Sequence, residues 1–102
     1  MTEDQIVAQH HQTFEEIRHV DEDGNEFWLA RDLQSILDYA KWDNFLNVIN
    51  KAKISCQLAG YQVENHFPDI RKKVYLGYNV EREIEDIALS RYACYLIVQN
   101  AN

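Results

Sequence analysis

Two amphipathic helices are predicted near the centre of the chain. From Ala30 the apolar residues recur at the i, i+3, i+4, i+7 spacing that places them on one face of a helix. After a break over residues 38–41 the same spacing resumes at Trp42 and continues to Cys56, and Gly60 suits a C-terminal cap. The short break is compatible with a helix-turn-helix-like pair and equally with an ordinary packed corner of two helices.

A β-hairpin is predicted before these helices. The segments 14–20 and 26–30 flank an Asp-Gly-Asn sequence, whose residues tolerate the positive φ that tight turns require. The loop is therefore expected near Gly24, with Ile17 as the clearest inward-facing residue of the first strand. Residues 1–12 lack any periodicity and are expected to form a loose tail.

A second hairpin is predicted in the last third of the chain. Residues 71–79 alternate between apolar and polar side chains, as half-buried strands do. Residues 82–90 are expected to pair with them as a further strand, with Ile87 and Leu89 facing inward. Residues 61–70 have no clean period and contain the single proline, so they are expected to form a connecting loop.

The chain is predicted to close with a buried helix. Ser90 stands where an N-cap belongs, and the residues from Tyr92 to Val98 are apolar on nearly every side. Such a helix either fills the core of its own domain or is covered by another part of the protein. Together these elements predict one α+β domain over residues 13–102, in which small β-hairpins pack on the helix pair and the closing helix.

Composition favours a small folded domain of the cytoplasm. The 102 residues are 46% hydrophobic with only 3 glycines, which suits a single core. No apolar run approaches the roughly 20 residues that span a bilayer, so no membrane partner is expected, and no secretory signal is recognisable. Cys56 and Cys94 lie in apolar stretches and are expected to be buried thiols rather than a disulfide.

Charge is distributed unevenly along the chain, whose net charge is −7. Residues 1–43 carry eleven acidic side chains against three basic ones, whereas residues 44–80 carry five basic side chains against two acidic ones. Neutralisation of phosphates by basic side chains supplies most non-specific affinity for nucleic acid. Any DNA contact is therefore expected in the middle third of the chain, with the acidic first part turned away.

No catalytic, metal or cofactor site is expected. Cysteines on apolar helix faces are unreactive, and the histidines are either adjacent in the tail (His10, His11) or isolated (His19, His66). The sequence also has no glycine-rich phosphate loop. The acidic residues flank turns and a strand, where solvated charge is the ordinary interpretation. The domain is therefore predicted not to be an enzyme.

Two stretches resemble the DNA-damage-inducible protein D (DinD) family. They are FWLARDLQSILDYAKWDNFLNVINKAK and DIALSRYACYLIVQN. More distantly, the W-x-A-R-D-L-x-x-x-L-x-Y motif and the order of elements are similar to Bro-N domains of phage antirepressors and baculovirus repeated-ORF proteins. The first resemblance implies a bacterial regulator of the DNA-damage (SOS) response that modulates RecA filaments on single-stranded DNA, with a longer full chain. The second implies DNA binding.

Eight polar residues are candidates for nucleic-acid contacts, on the exposed face of the second helix and in the basic cluster of the predicted strand. They are Lys41, Asn44, Asn47, Lys51, Lys53, Arg71, Lys72 and Lys73. Amide and ammonium groups can bind bases and phosphates, but the same residues also suit an ordinary solvated helix face and a solvated strand edge. Arg31 is expected to form an ion pair, for example with Glu26.

The alternative hypothesis is a protein-interaction domain without direct nucleic-acid contact. The acidic surface of residues 15–43 would then meet a basic partner such as RecA, or the closing helix would join two copies into a homodimer. Candidate partner-binding residues on this helix are Tyr92, Tyr95 and Leu96. Single- and double-stranded DNA remain open as ligands under the first hypothesis.

Overall fold

A computed structural model describes residues 13–101 of the chain, and its strands in this range form one antiparallel sheet. The strands are β1 (His19–Val20), β2 (Glu26–Leu29), β3 (Asp69–Gly77) and β4 (Val80–Leu89). Their order across the sheet is β1-β2-β4-β3. The helices are α1 (Ala30–Ile36), α2 (Trp42–Leu58), α3 (Val63–His66) and α4 (Arg91–Asn100). The α+β class predicted from the sequence is confirmed, and the predicted tail over 1–12 lies outside the described residues.

The first hairpin turns where the sequence predicts, but its first strand is much shorter. Asp21 Oδ1 accepts hydrogen bonds from the amides of Asp23 and Asn25, both at 2.9 Å, and Gly24 has a φ of 84°. The prediction of a strand over 14–20 is wrong at its start, because residues 13–16 are helical and only residues 19–20 pair with β2.

That helical turn places an aromatic ring in the core. The Phe14 ring stacks on Trp28, with their centroids 4.4 Å apart, and Trp28 Nε1 donates a hydrogen bond of 2.8 Å to the Phe14 carbonyl. In an extended strand, successive side chains would point to opposite faces. Here the chain forms a helical turn instead, which the two contacts between Phe14 and Trp28 hold in place. Ile17 does pack against the core, although it lies in a turn rather than a strand.

The break between α1 and α2 and the end of α2 are both where the sequence predicts. Asp38 adopts a left-handed φ of 62°, which stops α1. Gly60 has a φ of 90°, and the Tyr61 amide returns a hydrogen bond of 3.2 Å to the Cys56 carbonyl. The connection after α2 is more ordered than predicted, because residues 61–70 contain α3 and the first residues of β3.

The closing helix α4 fills the core of its own domain. The Ser90 hydroxyl accepts a hydrogen bond of 3.0 Å from the Ala93 amide, which confirms the predicted N-cap. The helix packs along α2 and against the sheet. Both inward-facing residues predicted in β4 are buried, Ile87 at 3% and Leu89 at 0% exposure.

The candidate nucleic-acid interface

The outer side of α2 displays three of the candidate residues together. Asn44, Asn47 and Lys51 all lie away from the core, since the opposite side of the helix carries the buried stripe that includes Phe45 and Ile49. Amide groups can read base edges and an ammonium group can bind phosphate, so this side offers both kinds of contact. Lys41, the residue that precedes α2, lies at the start of the same helix.

Lys53 lies on a different flank of the helix, at the wall of a groove. The groove, of about 470 Å³, separates α2 from the second hairpin. Lys53 of α2 and Arg71 of β3 both line this groove. The groove therefore has one candidate residue from the helix and one from the strand. However, Asp69, Glu85 and Asp86 also line the groove, so its acidic side chains outnumber its basic ones. The groove itself is therefore not suited to phosphate.

Strand pairing divides the basic cluster of β3 between two faces. The register sets Arg71 opposite Glu85 and Lys73 opposite Glu83, so these two cations lie beside carboxylates of the partner strand. Lys72 points to the other face, where its neighbour across the sheet is Ile84. The cluster is continuous in sequence but does not form one cationic surface.

Arg82 is the functional candidate that sequence reasoning missed. It pairs with Val74, and therefore shares the face of Lys72 and Ile84. The distal part of this face contains two cations and no carboxylate within the hairpin, because the acids at 81, 83 and 85 alternate to the opposite side. The sequence signal for Arg82 is that acidic residues alternate with other residues over positions 81–85. Only the register of the hairpin shows which face each of these side chains occupies.

The tip of the second hairpin exposes large apolar side chains. Tyr78 is 95% exposed, Tyr75 73% and Leu76 61%. Gly77 and Asn79 have φ values of 147° and 58°, which carry the chain through the turn. These side chains contribute little to the core of the domain, because most of their surface meets solvent.

The three partner-binding candidates on α4 occupy different environments. Tyr95 is 48% exposed, Tyr92 is partly buried beside the rings of Tyr61 and His66, and Leu96 is 7% exposed within the core. Tyr95 is therefore the candidate with substantial accessible surface, whereas Leu96 packs inside its own domain. Their proposed contacts with a partner remain predictions.

Part of the acidic surface is held by the domain's own arginines. Arg91 Nε donates to Glu26 at 2.8 Å, and its Nη1 donates to Glu15 at 2.9 Å. The hydrogen bonds with Glu26 and Glu15 raise the pKa of Arg91, and the hydrogen bond from Arg91 lowers the pKa of Glu26. The carboxylates of Glu15 and Glu26 thus form ion pairs within the domain itself.

The predicted ion pair of Arg31 is replaced by two other contacts. Its guanidinium lies 4.2 Å from the centre of the Trp42 ring, and its Nε donates a hydrogen bond of 2.7 Å to the Glu85 carbonyl. Glu26, the proposed partner, instead binds Arg91. Arg31 therefore ties α1 to both α2 and β4.

The described residues offer little for metal or thiol chemistry. No group of three His, Cys, Asp or Glu side chains in 13–101 is arranged to hold a metal ion. Cys56 and Cys94 are free and buried, and burial raises the pKa of each thiol. In the same part of the chain, no helix is long and apolar enough to cross a membrane.

Comparison with known proteins identifies the family. Residues 16–102 match the BRO family, N-terminal domain. The chain is 44% identical over 96 residues to DNA damage-inducible protein D of Escherichia coli strain K12. The matched region covers 94% of this chain but 35% of that protein, so the chain spans about a third of the relative's length. No solved structure matches significantly. The chain belongs to the family of BRO N-terminal domains.

Proposed function

We propose that this chain is a non-enzymatic regulatory domain of the DNA-damage response that acts by binding DNA. Its family membership and its 44% identity to a DNA damage-inducible protein support this proposal. The structural observation that carries it is the outer side of α2, where Asn44, Asn47 and Lys51 lie together. The finer role that we propose is modulation of RecA filaments, through the DNA that the filament occupies.

The proposal is compatible with the acidic composition because the charges are segregated. The acids at 15 and 26 are bound by Arg91, and those at 83 and 85 lie opposite basic residues of β3. Other cations lie elsewhere, on α2 and on the Lys72 face of the hairpin. A chain with a net charge of −7 can then still present a local surface that attracts phosphate.

The experiment is fluorescence anisotropy of labelled single- and double-stranded DNA at low and at physiological salt. Binding should weaken steeply with salt, and Lys51→Ala should reduce both the affinity and the slope of log K against log salt. Lys73→Ala is the matched control, since it removes one charge that already lies opposite Glu83. A flat titration at both salt concentrations would refute direct DNA binding by this chain.

A second candidate function is protein interaction or self-association. The half-exposed Tyr95 and Val98 of α4, at 48% and 50%, favour it. Sedimentation equilibrium and a binding assay with purified RecA test this alternative. Under it, DNA would not bind at physiological salt, and Tyr95→Ala would lower either the mass of the assembly or the affinity for RecA.

A further inference from the structure

The distal part of the second hairpin extends beyond the packed core as an arm. We define the hairpin arm as residues 72–83. Its tip carries Tyr78, a residue that is 95% exposed, and its two strands are paired from base to tip, with one irregularity between Tyr75 and Gly77. A ribbon of this kind is narrow enough to enter a groove or to lie along a strand of nucleic acid.

The two faces of the hairpin arm differ in charge. On one face Lys73 and Tyr75 lie opposite Glu83 and Glu81. On the other face Lys72 and Arg82 are accompanied by apolar neighbours, including Val74. This second face, which we call the cationic face, therefore combines positive charge with apolar surface. Its chemistry complements a phosphate backbone that carries exposed bases.

We propose that the hairpin arm binds an unpaired segment of nucleic acid, with Lys72 and Arg82 at phosphates and the Tyr78 ring stacked on a base. This inference rests on the proposed DNA-binding function and assigns it a ligand class and a second surface. An unpaired strand fits better than a duplex, because stacking on the tyrosine needs a base whose face is not already covered by its neighbours.

A second copy of this chain fits the same surface less well. Two-fold symmetric contact would place the cationic face against itself, so that Lys72 and Arg82 would meet like charges. A nucleic-acid strand supplies the opposite charge at that place. Charge complementarity at Lys72 and Arg82 therefore favours a nucleic-acid strand over a second copy of the chain.

The test is anisotropy of a fluorescein-labelled oligothymidylate titrated with the 102-residue chain. Tyr78→Ala should weaken binding by roughly ten-fold with an unchanged salt slope, whereas Tyr78→Phe should bind like the wild type because it keeps the ring. The Lys72→Ala, Arg82→Ala double variant should lower the salt slope by about 0.7 for each phosphate that is no longer neutralised. Lys73→Ala, on the opposite face, is the control and should change affinity less than about two-fold.

The outcomes separate this inference from the broader function. If the wild type binds and the Tyr78 and Lys72/Arg82 variants bind equally well, the arm is not the site and α2 remains the candidate. If the wild type binds neither oligothymidylate nor duplex, both proposals fail. If Tyr78→Ala changes only the mass in sedimentation, the tip joins copies of the chain and the inference is overturned. Circular dichroism of each variant verifies folding.

Discussion

Asp86 on β4 completes the N-terminus of a helix that begins far earlier in the chain. Its Oδ1 accepts hydrogen bonds from the Arg31 amide at 3.1 Å and from the Ile87 amide at 2.8 Å. Leu29, the residue before α1, has an apolar side chain that cannot serve this purpose. A residue distant in sequence thus performs the role that an N-cap usually performs locally.

Asp86→Ala should destabilise the domain by about 2 kcal/mol, because it leaves two amides without their acceptor. Asp86→Asn should lower the stability by less, because the amide oxygen of asparagine can accept the same two hydrogen bonds as Oδ1. The amide nitrogen then takes the place of Oδ2, which is buried and has no hydrogen-bond partner among the described residues. Urea denaturation monitored by circular dichroism measures both. Asp69→Ala, which removes an exposed acid, is the control and should change the free energy of unfolding by less than about 0.5 kcal/mol.

The Arg91–Glu26 ion pair predicts how stability depends on pH. The pKa of Glu26 is lowered in the folded state, so its contribution is present above its ordinary value of 4.5 and is lost as the pH falls through the lowered pKa. Glu26→Gln should therefore be less stable than the wild type at neutral pH, and the difference should shrink in acid below that value. A difference that is constant from neutral to strongly acidic pH would contradict this account. Denaturation curves across that range provide the measurement.

The two cysteines should be unreactive while the domain is folded. Cys56 and Cys94 are both 0% exposed, and burial raises the pKa of each thiol. Since the thiolate is the reactive form, a thiol reagent such as Ellman's reagent should modify neither residue without denaturant and both in guanidinium chloride. Rapid reaction under native conditions would show that the packing of α2 against α4 opens readily.

Among the elements, the second hairpin should show the widest range of local stability. Ile87 and Leu89 at its base are in the core, whereas Tyr78 at its tip is exposed. Amide hydrogen exchange should therefore be slowest at the base and fastest around the turn, by a free-energy difference of a few kcal/mol. Uniform protection along β4 would instead indicate that the arm is covered in solution.

The end of α2 offers a second test at this scale. Gly60 has a φ of 90°, and a Cβ there would meet no atom within 4 Å. Gly60→Ala should then cost about 1 kcal/mol of stability from backbone conformation alone, since there is no steric clash. Gly60→Asn should cost less, because asparagine tolerates the left-handed region. Equal losses of stability in the two variants would argue against this backbone origin.

Most elements could be predicted because their signals are local. The helical spacing of α1 and α2, the cap at Ser90 and the alternation of β3 each depend on residues close in sequence. The failures have non-local causes. The turn around Phe14 is held by Trp28, and the contacts of Arg31 come from Trp42 and Glu85. The periodicity of residues 14–20 does not indicate the turn around Phe14, and the spacing of residues around Arg31 does not indicate its contacts with Trp42 and Glu85.

The candidate site was predictable only in part for the same reason. The outward positions of Asn44, Asn47 and Lys51 follow from helical periodicity, which fixes the buried side of α2. The cationic face of the hairpin arm depends on the register of β3 against β4, which a linear reading of residues 71–73 does not contain. Whether either surface binds DNA is a prediction that the experiments above test.

At the scale of the whole molecule, the sheet order makes folding depend on distant parts of the chain. β2 finds its second neighbour in β4, with Trp28 paired to Leu89 and Leu29 to Ala88. During synthesis, the first hairpin and α1 can therefore pack into the core only after β4 and α4 have left the ribosome. Fragments that stop before residue 90 should remain unfolded and protease-sensitive, so the binding surfaces proposed here cannot be separated by truncation and must be dissected by point substitution.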